Sequence, residues 1–275
     1  MIIIENLKTK DTTTGKQLYD DLKYPVLSAQ CISIEFHNPK TPGEFKDLLE
    51  KIKLRCTNSG CYPWLHIEIH GNYKGLVFGD SEENLDWCEV KSLLSAINNF
   101  TQFNLFLSLA VCYGAKILHQ IKDMNSVAPF MGCFASEEKV KEGTVYAGFY
   151  NFFDEFFRSF DIYKAEAKFK TSIPNTGFKI YRVEELFIKA YLQYLKNGLQ
   201  KQIVEQRWQA LVQSKMVTGN RKARSKQKKK YMENLYNEEF NRKFFDEMRS
   251  KYFGIENLKH FSEINYDSVM ELSKV

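Results

Sequence analysis

The chain has 275 residues, of which 44% are hydrophobic and 15% aromatic, and it carries a formal net charge of +5. This composition excludes a disordered chain and suffices for one large core or two small ones. No apolar run approaches the roughly 18 residues of a membrane span, and the first residues lack the basic start of a signal peptide. We therefore expect a cytoplasmic protein that does not associate with membranes.

The six cysteines are scattered along the chain, and none of them forms a Cys-x-x-Cys pair. This spacing is not that of a zinc ribbon or zinc finger. Without a secretory signal, we expect free thiols in a reducing compartment. We expect no metal and no cofactor.

Short apolar runs alternate with helical patterns over the first 160 residues, and one more strand is predicted beyond them. Strands are predicted over 1–7, 31–37, 64–70, 74–78, 103–111, 128–135 and 178–182. Helices are predicted over 15–23, 44–55, 86–100, 114–123 and 145–160, the second with Thr41 as its cap and Pro42 in its first turn. Such alternation is typical of an α/β fold, a mostly parallel sheet with helices on both faces.

The remaining residues read only as helices, over 184–199, 201–216 and 232–252. We therefore predict a sheet domain over 1–183 and a helical C-terminal extension over 184–275. Residues 221–230 (RKARSKQKKK) hold seven basic and no acidic residues, and subtracting seven from +5 leaves −2 for the rest of the chain.

We expect the basic run to be an exposed loop. Contact with phosphates, proteolytic processing and a merely solvated surface are alternative interpretations of it. No aromatic residue is interleaved within the run, which argues against stacking on bases. Nucleic acid is therefore not expected as a partner.

Two predicted strands each end on a reactive side chain that is followed closely by a glycine. The first, LHIEIHG, ends on His70 and Gly71, and the second, NLFLSLAVCYG, ends on Cys112 with Gly114 soon after. Ligands of such sheets bind beyond the carboxyl ends of the strands, and a thiol beside an imidazole forms a nucleophile with its base. A helix predicted directly after Cys112 would favour its thiolate. Taken singly, each residue is better explained by a structural role; the joint pattern favours catalysis.

The segments HIEIHG and LSLAVCYGA resemble the caspase-like cysteine peptidases, which include caspases, metacaspases, gingipains and bacterial CHAT domains. The resemblance covers about residues 1–160, and PFMGCFAS and YAGFYNFFDEFF are similar to the next strand and aromatic helix of the bacterial branch. The Gln-Ala-Cys signature of caspases is absent, since Ala110 and Val111 precede the cysteine. The aspartate preference of animal caspases is therefore not carried over.

The resemblance implies a three-layer sandwich and an endopeptidase that cleaves protein or peptide substrates. It makes Cys112 the nucleophile, His70 the base, and the amides of Gly71 and Cys112 the oxyanion hole. It also implies control by an activating ligand or partner protein and a role as a regulated effector of bacterial antiviral defence or cell death.

The family's first substrate pocket is built by the strand after the nucleophile and the loop beyond it, here residues 134–143. There, Glu137 and Glu138 either select a basic side chain or belong to a solvated loop. Residues 80–83 form a second acidic loop, which likewise either selects a basic side chain or is merely solvated. No orienting carboxylate is assigned, although Glu68 shares the strand parity of His70 and stays a candidate.

His66 is expected to be a lining or buried residue, and Cys133 to lie in the core. Two further functions remain open at this point. One is a catalytically silent caspase-like scaffold that binds a signal at the edge of the sheet. The other is a nucleic-acid-binding protein that acts through the basic run.

Overall fold

The computed structural model describes residues 1–28, 32–121, 124–140, 142–174, 176–198, 200–235 and 237–272. The chain divides into two compact units. The first comprises Met1–Ile121 and Ala128–Val183, and the second comprises Lys122–Val127 and Glu184–Val275.

The first unit is built on an eight-stranded mixed sheet. Its strands are β1 (Ile2–Asn6), β2 (Glu35–His37), β3 (Trp64–Gly71), β4 (Gly75–Phe78), β5 (Glu83–Asp86), β6 (Phe106–Leu109), β7 (Gly132–Ser136) and β8 (Phe178–Arg182). The order is β2-β1-β3-β6-β7-β8. The first five of these are parallel to one another, and β8 is antiparallel to β7. Strands β4 and β5 form a hairpin against the end of β3.

Helices flank this sheet in two groups. They are α1 (Thr14–Ser28), α2 (Pro42–Ser59), α3 (Trp87–Phe100), α4 (Glu142–Ser159) and α5 (Ile162–Ser172). Helix α4 packs on α1 and α5 in one group, and α2 packs on α3 in the other. The predicted α/β class is confirmed: a mostly parallel sheet lies between helical layers, consistent with a three-layer sandwich.

Aromatic side chains fill the space between the sheet and the α1, α4 and α5 helices. The ring of Phe134 on β7 contacts those of Phe149, Phe169 and Phe178 within 5.7 Å, and all four side chains are buried. The central strand β6 carries Leu107 and Leu109 at 0–1% exposure. Burial of its apolar side chains explains why this strand reads as one apolar run.

Several predicted boundaries shift in the structure. Strand β6 spans four residues where we expected nine: Gln102 and Phe103 adopt positive φ angles before it, and the chain turns at residues 111–113 after it. Strand β5 and helix α5 were not predicted. The start of the predicted strand over 31–37 includes Cys31, which lies outside the described residues. The predicted cap of α2 is confirmed, since Thr41 Oγ1 accepts a hydrogen bond from Glu44 N at 3.2 Å.

The second unit is helical in its described residues. Its helices are α6 (Val183–Gly198), α7 (Lys201–Gln213), α8 (Arg221–Leu235), α9 (Glu238–Phe253) and α10 (Tyr266–Leu272). Its core gathers aromatic rings from α6 and α9, among them Phe187, Tyr191, Phe245 and Tyr252.

The expectation of a loop over 221–230 was wrong, because helix α8 includes all ten residues. Lysine, arginine, glutamine and alanine have high helix propensities, and neither glycine nor proline occurs between Arg221 and Leu235. Like-charge repulsion between neighbouring turns costs only a few tenths of a kcal/mol per pair, about the same as one surface ion pair gains.

No helix in the described ranges combines the length and the apolar character that a bilayer crossing requires.

Candidate active site

The register of two neighbouring strands brings the segments that carry His70 and Cys112 to the same edge of the sheet. Strands β3 and β6 are parallel, and Ile67 pairs with Leu109. His70 comes three residues after the first of these, and Cys112 three residues after the second. The amide of Ala110 extends the pairing by donating to Ile67 O at 2.9 Å. The imidazole and the thiol therefore belong to adjacent chain segments at the same edge of the sheet.

Gly71 brings these two segments into close contact. A Cβ placed on Gly71 would lie 2.3 Å from Val111 Cγ1 and 2.4 Å from Cys112 O, too close for any side chain. The orientation of its amide follows from the ladder with β4. Asn72 N donates to Gly75 O, so the next pair, Gly71 with Leu76, is not hydrogen-bonded across the ladder. The Gly71 N–H thus points away from β4, towards the side of β3 on which β6 and Cys112 lie.

Replacing Gly71 with alanine is expected to force the two segments apart. Overpacking of this kind costs about 1–3 kcal/mol of folding free energy, and here it would also displace Cys112. Urea unfolding measures the first effect. Gly43→Ala is the matched control, because a Cβ there would meet its nearest atom, Thr41 Oγ1, at an ordinary 3.6 Å. Equal stabilities of the two variants would contradict the close approach of Gly71 to Val111 and Cys112.

Asp11 holds the imidazole of His70. His70 Nε2 lies 2.6 Å from Asp11 Oδ2, and the two side chains are 30% and 10% exposed. Partial burial alone would raise the pKa of Asp11, but the hydrogen bonds from His70 and from Lys8 N outweigh it, so the pKa lies below its usual value. An ionised carboxylate only accepts hydrogen bonds, so the proton of neutral His70 resides on Nε2. Nδ1 is then the nitrogen that can take a proton from a thiol.

The segment that carries Asp11 is tied to the β4–β5 turn. Thr9 N donates to both carboxylate oxygens of Asp80 at 3.3 Å, and Lys8 forms an ion pair with Glu82. Residues 80 and 82 of the acidic loop therefore bind the loop that follows β1. They fix the position from which Asp11 reaches His70.

Asp11 is not among the site residues predicted from the sequence. A signal existed, because the residue lies just beyond β1, the neighbour of β3, at the edge of the sheet where both strands end. Asp11 and His70 are 59 positions apart, so no local sequence pattern indicates that the two side chains are in contact.

The sulfur of Cys112 contacts the backbone of Val140. Val140 N donates to Cys112 Sγ at 3.3 Å, and Sγ lies 3.7 Å from Val140 O. Tyr113 N, next along the chain, donates to Glu138 O at 3.0 Å. The expected helix after Cys112 is a short 3-10 helix, Gly114–Gln120, whose few turns supply little dipole. The Val140 amide is therefore the positive group that faces the sulfur.

His70 and Cys112 line one cavity of about 220 Å³. Its other lining residues are mostly apolar: Leu7, Thr14, Glu68, Ile69, Ala110, Val140 and Val145. The strand register and the shared cavity together place a thiol and an imidazole around one space.

A hydrogen-bonded chain of buried polar side chains leads from the core to this cavity. Ser108 Oγ lies 2.8 Å from His66 Nδ1, and His66 Nε2 lies 2.8 Å from Glu68 Oε1. Glu68 also accepts from Thr14 Oγ1. His66 and Glu68 are 0% and 2% exposed. Both oxygens of Glu68 are engaged with these partners and not with His70, so Asp11 takes the orienting position for which Glu68 was a candidate.

The cavity lining does not include Glu137 or Glu138. Glu137 accepts from Tyr181 Oη at 3.0 Å and lies 3.9 Å from Lys179 Nζ, both on β8. The contact that Glu138 makes near the site is through its backbone oxygen, to Tyr113 N. The structure therefore does not bring these two carboxylates together with the His70 and Cys112 side chains.

The other described cysteines differ in their surroundings. Cys133 on β7 is buried in the core as predicted, and burial raises the pKa of its thiol. Cys88 on α3 is exposed, and Cys112 is half-buried. Within the described ranges, no group of three or more His, Cys, Asp or Glu side chains is arranged to hold a metal ion.

No protein-family model matches the chain, and no curated protein matches it. The site therefore rests on its own geometry.

Proposed function

We propose that the chain is a caspase-like cysteine endopeptidase with His70 and Cys112 as its catalytic pair. The observation that carries this proposal is the register of β3 and β6, which sets both residues three positions beyond a paired Ile67 and Leu109, on one cavity. A cysteine nucleophile requires a base within reach of its thiol. The orienting carboxylate of Asp11 adds the third group that such pairs commonly use.

The reaction begins with proton transfer. Asp11 keeps the proton of neutral His70 on Nε2, so Nδ1 removes the proton of the Cys112 thiol. The thiolate attacks the carbonyl carbon of a peptide bond, and the carbonyl oxygen becomes an oxyanion. The Gly71 N–H, which points towards this side of β3, and the amide of Cys112 are the donors for that oxygen.

The second half of the reaction uses the same groups. Protonated His70 donates to the leaving amine as the C–N bond breaks, which leaves a thioester on Cys112. Neutral His70 then removes a proton from water, and the hydroxide attacks the thioester carbonyl. The carboxylic acid departs, and the thiol recovers its proton from His70.

Selective alkylation tests the proposal. Treatment with iodoacetamide near neutral pH, followed by peptide mapping, should label half-buried Cys112 faster than exposed Cys88, because the proposed base His70 shares the cavity of Cys112 and reactivity does not follow exposure alone. In His70→Ala, labelling of Cys112 should slow while labelling of Cys88 stays unchanged. Cys88 is thus an internal control within each sample.

Two results would contradict the pairing of thiol and imidazole. One is slower labelling of Cys112 than of Cys88 in the unaltered protein. The other is an equal effect of His70→Ala on both cysteines. A protein that labels selectively at Cys112 but cleaves no member of a random peptide mixture would favour the silent scaffold.

A further inference from the structure

Helix α8 presents one face to its own unit and another to solvent. Lys228 Nζ pairs with Glu205 on α7 at 2.5 Å, the ring of Tyr231 lies 5.7 Å from that of Trp208, and Leu235 is buried. These residues follow one another at intervals of three and four, the spacing of a single helix face. The inner face of α8 is therefore assigned by its contacts.

The opposite face carries a lysine stripe, which consists of Lys222, Lys226, Lys229 and Lys230. The four residues are exposed and lie at positions i, i+4, i+7 and i+8 of one helix. At 1.5 Å per residue, the stripe extends about 12 Å along the axis. Among the residues that the structure describes, its ion pair is Lys229 with Glu233 at 3.8 Å, where the lysine side chain is 81% exposed. A pair so exposed contributes little, so the positive charge of the stripe is largely uncompensated.

The composition of the stripe limits the class of molecule that it can bind. Ala223 is the one apolar residue within 221–230, so the stripe offers no apolar side chains to insert into a membrane surface. Protein interfaces are depleted in lysine and enriched in aromatic residues, the reverse of this face. Single-stranded nucleic acids are bound by stacking on aromatic rings, and the aromatic ring of α8, Tyr231, packs on Trp208. A row of lysines without aromatic neighbours suits the phosphates of a duplex, which are bound as point charges.

We propose that the lysine stripe of α8 binds the phosphate backbone of a double-stranded nucleic acid without reading its sequence. This goes beyond the proposed peptidase activity and does not depend on it. Lysine contacts to phosphates release counterions, with a slope of about −0.9 in log K against log salt for each phosphate neutralised. Four contacts predict an affinity that falls about 10²-fold between roughly 50 and 200 mM salt.

The test uses the full-length protein and a matched pair of fourfold variants. One changes Lys222, Lys226, Lys229 and Lys230 to glutamine, which keeps a high helix propensity. The other changes four exposed lysines elsewhere in the second unit to glutamine: Lys189, Lys215, Lys243 and Lys251. Both variants therefore lower the net charge by the same amount. Circular dichroism and urea unfolding establish that both variants fold. Fluorescence anisotropy with a short DNA duplex, the corresponding RNA duplex and a single strand measures binding.

The expected result is salt-dependent binding of a duplex that weakens at least about tenfold in the stripe variant and much less in the control variant. The preference between DNA and RNA duplexes identifies the natural source of the phosphates. Equal weakening in the two variants would overturn the proposal, because net charge alone would then explain binding. Tighter binding of the single strand, or binding that ignores salt, would also overturn it.

Discussion

Changing Cys112 or His70 to alanine is expected to lower kcat/KM for peptide cleavage by about 10⁴-fold or more. Without the thiol there is no nucleophile, and without the imidazole neither the proton of the thiol nor that of the leaving amine can be transferred. Because the two residues act in one step, the double variant should be about as inactive as either single variant. Initial rates on a peptide mixture, followed by mass spectrometry, measure all three.

Cys88→Ala is the control for the first prediction. It removes an exposed thiol on α3, which does not line the cavity, and should leave the rate unchanged. The structural contribution of each residue is followed separately by urea unfolding. Full activity in Cys112→Ala, or losses that add up in the double variant, would contradict a His70 and Cys112 pair.

The change Asp11→Asn is expected to lower kcat by about 10²–10⁴-fold, with little change in KM. An asparagine amide can donate to Nε2 of His70, which moves the imidazole proton to Nδ1, the nitrogen that must accept the proton of the thiol. The geometry is kept while the tautomer is reversed. Nitrogen NMR of the labelled imidazole reports which ring nitrogen is protonated, and steady-state kinetics separates kcat from KM.

Asp80→Asn is the matched control for Asp11→Asn. Asp80 supports the same loop through Thr9 but does not contact His70. We expect it to alter stability slightly and to leave the tautomer unchanged. An unchanged kcat in Asp11→Asn, together with reversal of the tautomer, would show that orientation of His70 is not needed. Equal effects of both changes on kcat would assign Asp11 a purely structural role.

The hydrogen bonds of Asp11 also predict a dependence of stability on pH. Its pKa is lower in the folded protein than in the unfolded chain. The contribution of this carboxylate to stability is therefore fully present above the ordinary carboxyl pKa of about 4 and is lost as the pH falls through the folded value. Unfolding midpoints measured from neutral to acidic pH should show a smaller decline for Asp11→Asn than for the unaltered chain.

The amino-acid sequence by itself determined the parts of this fold that depend on local pattern. The apolar runs that end at His70 and Cys112, the capped start of α2 at Thr41 and the alternation of strands with helices are consequences of side-chain spacing and backbone preference, which neighbouring residues decide. Helix α8 departs from the expected loop because the helix propensity of its residues outweighs their like charge.

Tertiary structure alone decided what surrounds the thiol and the imidazole. The partner of His70 comes from the loop after β1, and the amide that faces Cys112 comes from Val140 beyond β7. Glu137 and Glu138 lie three and two positions before Val140 in the sequence, yet they do not line the cavity. Contacts between segments so far apart depend on strand order and register, which arise from burial of the whole sheet and leave no local signature.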